Sequence, residues 1–282
     1  MVVELLLDRL ANAFADDRFG YLYRDGGSAE AAALGALALG AHGRDTSTAL
    51  DWLQTQQKDD GGIPVLPSLD QPRWPTSLAL WAFQSAGREA AAARAIDYLL
   101  DHHGIPVDRS ELLGHDSTLI GWSWVDATHS WVEPTGYALI GLREAGRADH
   151  ERCRRGVEML LDRCLPSGGW NYGNTRVMSN MLRPFPATTG VALLGLAGEP
   201  MVPAIERSLD YLRATVSSLK APVSLSWSLL ALAAWHREAP AMELIETSVR
   251  APGRRPPDPV HDALLALAAS RAAPEPTPEE EP

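Results

Sequence analysis

Cysteine is scarce in this chain of 282 residues, which contains only Cys153 and Cys164. In one helix, about eleven residues of separation place two side chains about 16 Å apart, which is too far for a disulfide. The sequence therefore gives no sign of an oxidising compartment. The chain also has no CxxC pair, no GxSxG elbow, no GxGxxG and no Walker loop, so nucleotide binding and serine-hydrolase chemistry have no support.

Long apolar runs and basic clusters are missing as well. No stretch approaches the roughly 18 apolar residues of a transmembrane helix, and Glu4 and Asp8 interrupt the apolar N-terminus where a signal peptide would be continuous. The formal net charge is −11, and no basic stripe is present that would displace counterions from a phosphate backbone. We therefore expect a cytoplasmic protein without a transmembrane segment and without a nucleic-acid partner.

The chain does contain internal repeats. One pattern consists of a small residue, an apolar residue, an acid, a large residue and leucine, and it begins at Ala49, Ala95, Gly156 and Ser208. Its spacing is typical of an amphipathic helix with charges on one face. Divergent copies over residues 4–14 and 241–249 bring these predicted helices to six.

A second pattern alternates with the first and is apolar nearly all round, which is typical of buried helices. Its members begin at Ala29, Pro75, Pro134, Thr188, Ser226 and Pro259. Six amphipathic helices alternating with six buried ones predict an all-α fold, an (α/α)6 toroid, over residues 1–273, followed by a disordered Pro/Glu tail over residues 274–282. An open solenoid of helix pairs is the alternative, although its terminal repeats would need polar faces.

The connections between the predicted helices are unequal in length. Links from an outer to an inner helix are long and contain Gly-Gly pairs, whereas links from an inner to an outer helix are short Ala-Gly-Arg turns at residues 86–88 and 145–147. We call the two ends of the toroid the long-loop end and the short-turn end. Because binding and catalytic residues concentrate on long loops, the functional face is predicted at the long-loop end.

Aromatic residues are concentrated in the long links. Such side chains suit an apolar ligand and can stabilise a cation. We expect Trp74 and Trp131, next to inner-helix starts, to line a cavity; for Trp122 and Trp170, packing across neighbouring hairpins is the simpler alternative. The candidate ligand-binding residues in and beside these links are Trp74, Trp122, Trp124, Trp131, Tyr137, Trp170, Asn171 and Tyr172.

Acids and histidines gather in the connector that ends at Glu133. The candidate catalytic residues there are Glu133, Asp126 and His129. A zinc site from these three is conceivable, but their spacing matches no standard ligand signature, so we predict no metal site and find no cofactor that the sequence requires. A solvated polar loop is the structural alternative.

Arginines in the same links indicate a binding site for an anion. All inner helices begin at the long-loop end, so their positive dipole ends favour negative charge there. Arg73, Arg176 and Arg183 are therefore candidates for binding a phosphate or carboxylate. Solubilising surface charge is the alternative for each of them.

Segments 57–62, 130–135 and 167–173 read Gln-Lys-Asp-Asp-Gly-Gly, Ser-Trp-Val-Glu-Pro-Thr and Ser-Gly-Gly-Trp-Asn-Tyr-Gly. Together with the Thr-Gly helix starts that follow, they resemble the repeats of squalene-hopene cyclases and of protein prenyltransferase beta subunits over roughly residues 20–270. The resemblance implies a toroid whose central apolar cavity holds an isoprenoid. Squalene-type cyclases protonate their substrate with an Asp-x-Asp-Asp motif, which is missing here: the matching positions read Pro-Arg-Trp-Pro over residues 72–75 or Trp-Val-Glu-Pro over residues 131–134, and Glu133 is the nearest remnant of the motif.

The resemblance to protein prenyltransferases does not extend to the zinc site of that family. The family's zinc-binding Asp-x-Cys pair and distant His have no counterpart, because Thr188, Thr189 and Ser226 stand at the comparable places. Arg176 partially matches the basic residues that bind diphosphate in that family.

Three functions follow from these patterns. The first is a terpenoid cyclase or prenyltransferase-like protein that binds an isoprenoid or similar apolar anion, with or without catalysis. The second is a non-catalytic module that holds a protein partner at the rim. The third is a carbohydrate-active toroid, with Asp126 and Glu133 as paired carboxylates and tryptophans as sugar platforms.

Overall fold

The computed structural model describes residues 1–110, 113–178, 180–251 and 257–272, and these residues form twelve α-helices. The outer helices are α1 (Val2–Ala15), α3 (Ser47–Gln56), α5 (Glu89–Asp101), α7 (Glu151–Asp162), α9 (Pro203–Thr215) and α11 (Ala241–Arg250). The inner helices are α2 (Ala29–Ala41), α4 (Thr76–Ser85), α6 (Val132–Glu144), α8 (Pro186–Gly195), α10 (Pro222–Ala234) and α12 (Pro259–Ala272). The predicted tail over residues 274–282 lies outside the described residues.

The inner helices form a closed ring. Each packs against the next in the order α2, α4, α6, α8, α10 and α12, and α12 returns to pack against α2. This last contact confirms the predicted toroid and excludes the open solenoid. None of the helices in the described part of the chain is long and apolar enough to cross a membrane, and both cysteines are free.

Small residues let the inner helices approach one another closely. A Cβ atom added at Gly190 of α8 would lie 2.5 Å from the carbonyl oxygen of Trp227 in α10. A Cβ added at Gly136 of α6 would lie 2.7 Å from a methyl carbon of Val191 in α8. Such separations are below van der Waals contact, so larger residues would force the helices apart.

Threonine at the start of three inner helices fastens each preceding long loop. The hydroxyl oxygens of Thr76, Thr135 and Thr189 accept hydrogen bonds from backbone N–H groups of the loops, at 2.8, 2.9 and 3.0 Å, from Ile63, Trp122 and Trp170. Each hydroxyl also donates to a nearby backbone carbonyl. The threonine that recurs in the inner-helix pattern thus satisfies polar groups where a loop meets a helix.

Several helix starts and one link differ from the sequence prediction, and α8 begins at Pro186 and α10 at Pro222, ahead of the predicted Thr188 and Ser226. Pro134 is predicted as the first residue of its helix, but α6 begins at Val132 with Trp131 as N-cap. Proline is tolerated there because first-turn N–H groups have no partner within the helix. The α7–α8 link also contains an unpredicted antiparallel hairpin, β1 (Arg176–Val177) and β2 (Asn180–Met181).

Candidate functional site

Glu133 lies in the first turn of α6 and faces the first turn of α8. Its carboxylate oxygen accepts a hydrogen bond of 2.9 Å from the hydroxyl of Thr188, which is fully buried. Burial raises the pKa of Glu133 above its ordinary value, and the hydrogen bond from Thr188 lowers it by less. Removal from water thus dominates and favours the neutral, proton-carrying form of Glu133.

Glu30, in the first turn of α2, is a second acid of the site and was not predicted from the sequence. Burial raises the pKa of Glu30 to about 7; the negative charges of Asp258 and Glu133 add to this effect, while Tyr21 and His261 oppose it. The side chain of Glu30 is partly exposed to solvent. The surrounding protein atoms nevertheless exclude enough water for burial to be the largest influence on its pKa. The site therefore contains an acid that titrates near neutral pH.

Aromatic rings pack around Tyr137, which lies one helical turn after Glu133. The ring centroid of Tyr137 lies 5.7 Å from Trp74 in a stacked arrangement and 5.5 Å from Trp227. Trp124 packs its edge on Trp74 at 5.0 Å. Burial, followed by the charges of Glu133 and Glu30, raises the pKa of Tyr137. The acids and the rings therefore belong to one region, which we call the acid–aromatic site.

The other two candidate catalytic residues have different partners. Asp126 accepts a hydrogen bond of 3.1 Å from the hydroxyl of Tyr98 and another from Gln71, whereas Glu133 bonds to Thr188. His129 packs its ring on Trp131 at 4.7 Å. Within the described residues, no three His, Cys, Asp or Glu side chains are grouped so that they could hold a metal ion.

Trp122 and Trp170 are buried between hairpins. Their indole N–H groups donate hydrogen bonds of 2.8 and 2.7 Å to the carbonyl oxygens of Leu99 and Leu160. Asn171 is also buried, and its amide oxygen accepts from the N–H of Gly173 at 3.2 Å. The indole N–H groups of Trp122 and Trp170 already bond to the protein, which favours the structural alternative for these two residues, whereas the side-chain amide nitrogen of Asn171 is buried without a hydrogen-bond partner among the described residues.

The candidate anion-binding arginines lie outside the acid–aromatic site. Arg73 forms ion pairs with Asp60 and with Asp70, the latter at 2.7 Å. Arg176 and Arg183 are exposed on the α7–α8 link. The interior near Glu133 and Glu30 is acidic, so negative charge is disfavoured there.

The larger cavities lie at the other end of the toroid from the acid–aromatic site. Cavities of about 600 and 450 Å³ at the short-turn end share Trp81 and Arg271, and a third of about 660 Å³ also includes Arg271. The cleft beside Trp74 and Asp126 at the long-loop end measures only about 20 Å³. Aromatic side chains pack where the sequence predicted an open central cavity.

No family model matches the sequence, and no curated protein sequence matches it either. Among solved structures, the type II terpene cyclase MstE from Scytonema aligns with a TM-score of 0.60 and 12% identity over 96% of this chain and 97% of that chain. The ent-copalyl diphosphate synthase from Streptomyces platensis aligns with a TM-score of 0.58 and 21% identity over 86% of this chain, which spans 50% of the synthase.

A protein described as a novel alpha-amylase from Clostridium perfringens aligns with a TM-score of 0.64 and 13% identity over 96% of this chain and 98% of that one. These likenesses show that the chain has the α/α toroid of terpenoid cyclases. At such identities the fold is shared by proteins with different chemistry, so function rests on the site.

Proposed function

We propose that this protein binds an isoprenoid or a similarly apolar molecule at the acid–aromatic site and that Glu133 donates a proton to it. The observation that carries the proposal is the position of Glu133, held by Thr188 and made more basic by burial beside the Trp74–Tyr137–Trp227 rings. The fold shared with a type II terpene cyclase and with a copalyl diphosphate synthase supports the ligand class.

The chemistry follows from a neutral carboxylic acid next to aromatic faces. The Glu133 proton moves to one carbon of an alkene, a C–H bond forms, and the neighbouring carbon becomes a cation while Glu133 becomes a carboxylate. Tyr137 and the tryptophans stabilise the cation through their ring faces, and the new carboxylate compensates its charge. Transfer of a proton from the product cation to the carboxylate form of Glu30 gives the alkene product, and proton exchange with water then returns Glu133 to its acid form and Glu30 to its carboxylate.

Entry of the ligand needs room that the packed rings do not leave. Trp74 and Trp124 belong to loops and are only partly buried, whereas Tyr137 and Trp227 belong to buried inner helices. We therefore expect the two loop tryptophans to move aside when a ligand enters. An anionic end of the ligand would remain outside, at Arg176 and Arg183.

Carbohydrate hydrolysis is the second candidate, supported by the electrostatic coupling between Glu30 and Glu133. Glycosidases need one neutral and one ionised carboxyl group, and mutual repulsion between two acids separates their proton affinities in this way. In this reading Glu30, rather than the predicted Asp126, is the partner of Glu133. The shared fold with a protein described as an alpha-amylase is consistent with this chemistry.

Turnover assays with two substrate classes test the proposal. The purified chain is incubated with geranylgeranyl diphosphate, with geranylgeraniol and, separately, with malto-oligosaccharides, and the products are identified by mass spectrometry. Glu133→Gln should keep the free energy of unfolding within about 1 kcal/mol of the parent. It should lower isoprenoid turnover by roughly 10²- to 10⁴-fold, the usual contribution of a general acid.

Glu158→Gln on the exposed face of α7 makes the same chemical change and serves as the matched control, with turnover expected to equal that of the parent. If the parent hydrolyses the oligosaccharide and Glu133→Gln does not, the protein is assigned the second candidate function, carbohydrate hydrolysis. If isoprenoids neither react nor quench tryptophan fluorescence, the proposed ligand class is wrong.

A further inference from the structure

Open space at the short-turn end surrounds the axis of the toroid. The cavities of about 600 and 450 Å³ share Trp81 and Arg271, and together we call them the axial cavity. All six inner helices contribute to its lining, in chain order through Leu37, Trp81, Arg143, Leu194, Leu230 and Leu267. The two volumes fall in the range of roughly 300–1,000 Å³ that is usual for small-molecule sites.

The wall of the axial cavity is mainly apolar. The indole of Trp81 lies between its two parts, and the other inner helices add leucine and alanine side chains. Ala233 of α10 belongs to this wall and is only half-buried, so space is open directly beside its methyl group. Such a wall is suited to a hydrocarbon chain, because contact removes apolar surface from water.

Three arginines reach the axial cavity, and two of them already have partners. Arg44 forms ion pairs with Glu4 and with Asp8, the latter at 3.3 Å. Arg143 donates hydrogen bonds to carbonyl oxygens at the end of α8 and forms an ion pair of 3.6 Å with Glu144. The positive charge of both is therefore compensated within the protein.

The third arginine, Arg271, is unpaired. It lies in the last turn of α12, is exposed, and forms no hydrogen bond or ion pair within the described part of the chain. Burial lowers the pKa of Arg143, and the positive charge of Arg271 lowers it further while Glu144 opposes both, so the two guanidinium groups are near each other. A carboxylate fits such a place, because it accepts two parallel hydrogen bonds from one guanidinium.

The ends of the inner helices act in the opposite direction. Their C-termini border the axial cavity and carry partial negative charge, which by itself favours a cation. This charge amounts to roughly half an elementary charge per helix, and at α8 the carbonyl groups already accept hydrogen bonds from Arg143 and Trp235. The full charge of Arg271, within hydrogen-bond reach of a ligand, therefore decides its sign. One unpaired arginine favours a single negative charge over a diphosphate.

We propose that the axial cavity binds an amphipathic carboxylate, a molecule with one hydrocarbon chain and one carboxyl group, as in a fatty acid. Its carboxylate pairs with Arg271 at the rim, and its chain lies along Trp81 and the apolar ends of the inner helices. This site is at the opposite end of the toroid from Glu133. The proposal therefore goes beyond the proposed function and does not depend on it.

Isothermal titration calorimetry of the full chain with decanoate, kept below its critical micelle concentration, tests this proposal. One decanoate should bind per chain, and decanol, which has the same length and no charge, should bind roughly tenfold or more weakly. Octanoate should bind roughly tenfold more weakly than decanoate, because each buried CH₂ group contributes about fourfold. Decyltrimethylammonium, the cationic counterpart, should bind most weakly.

Three variants locate the binding. Arg271→Gln should lower the affinity for decanoate roughly 10- to 150-fold, the effect of losing a hydrogen bond to a charged group, and leave decanol binding unchanged. Arg154→Gln is the matched control, because Arg154 is likewise exposed but lies on the outer helix α7, and it should bind decanoate like the parent. Ala233→Phe places a ring in the cavity and should abolish binding of decanoate and decanol alike.

Several results would overturn the proposal. They are equal affinities for decanoate and decanol, tighter binding of decyltrimethylammonium, unchanged decanoate binding by Arg271→Gln, and no decanoate binding by the parent. An equal loss in Arg154→Gln and Arg271→Gln would also overturn it, because the effect would then reflect net charge alone.

The two proposals fail separately. Glu133→Gln should bind decanoate like the parent, because Glu133 lies at the long-loop end. Conversely, Arg271→Gln should convert an isoprenoid like the parent, since its acid–aromatic site is unchanged.

Discussion

The two ends of the toroid are formed by the same helices but use their polar side chains differently. At the short-turn end, the guanidinium of Arg143 donates to the carbonyl oxygens of Leu194, Gly195 and Ala197 at 2.8, 3.3 and 3.2 Å. The indole N–H of Trp235 donates to Leu193 at 2.8 Å, next to the same helix end. These side chains satisfy carbonyl groups that have no partner within α8.

At the long-loop end, backbone polar groups form their hydrogen bonds with the loops and with threonines such as Thr135 and Thr189. The carboxyl group of Glu133 bonds to the hydroxyl of Thr188 and that of Glu30 has His261 as a nearby positive charge, yet burial raises the pKa of both. Cavity volume follows the opposite order, since the larger cavities lie at the short-turn end. The buried acids, rather than open space, distinguish the end at which the function is proposed.

The largest expected difference between the ends concerns backbone packing. At the long-loop end Gly168 has φ +88°, and a Cβ added there would lie 2.6 Å from the carbonyl oxygen of Arg207. At the short-turn end Gly87 has φ +67°, with nothing within 4 Å of an added Cβ. Gly168→Ala should cost roughly 2–5 kcal/mol of unfolding free energy, from strain plus overpacking, and Gly87→Ala about 1–2 kcal/mol from strain alone.

Chemical denaturation of both variants measures this difference under identical conditions. Equal losses of stability would mean that the long loops yield to the added methyl group. The long-loop end would then be less firmly attached to the outer helices than the structure indicates.

A smaller effect is expected from Arg143→Met. The substitution removes charge-assisted hydrogen bonds to the end of α8 and should lower the free energy of unfolding by about 1.5–3 kcal/mol. Isoprenoid binding and turnover at the long-loop end should stay unchanged at temperatures where the variant is folded. Loss of ligand binding with unchanged stability would move the binding site to the cavity of about 600 Å³ at the short-turn end, which Arg143 lines.

The sequence predicted the helices and the ring because both depend on periodicity. The alternation of amphipathic and all-apolar segments determines which helices are outer and which are inner, and alternation through six pairs leaves a closed ring as the compact arrangement. Glu133 was identified because it stands at a helix start among aromatic residues. Its hydrogen bond to Thr188 was not predicted, since it joins the starts of two different helices.

Glu30 could not be recognised from its sequence surroundings. It follows Ser28 and Ala29 at a helix start, where an acid is ordinary because it complements the helix dipole. Burial raises the pKa of Glu30 to about 7, and the charges of Asp258 and Glu133, which are distant in the sequence, add to this effect while Tyr21 and His261 oppose it. The indole hydrogen bonds of Trp122 and Trp170 likewise depend on how the loops close over the hairpins.

The central claim is that burial keeps a proton on Glu133 in the acid–aromatic site, and infrared spectroscopy of the carboxyl groups tests it most directly. The spectrum of the parent minus that of Glu133→Gln isolates Glu133 as pH is varied. The ordinary pKa of a glutamic acid is 4.5, so a pKa above this value in the folded state means that the protonated band persists at higher pH. We predict such persistence, with the corresponding Glu30→Gln difference disappearing near pH 7. Carboxylate bands alone above about pH 5 in the Glu133 difference spectrum would contradict the account.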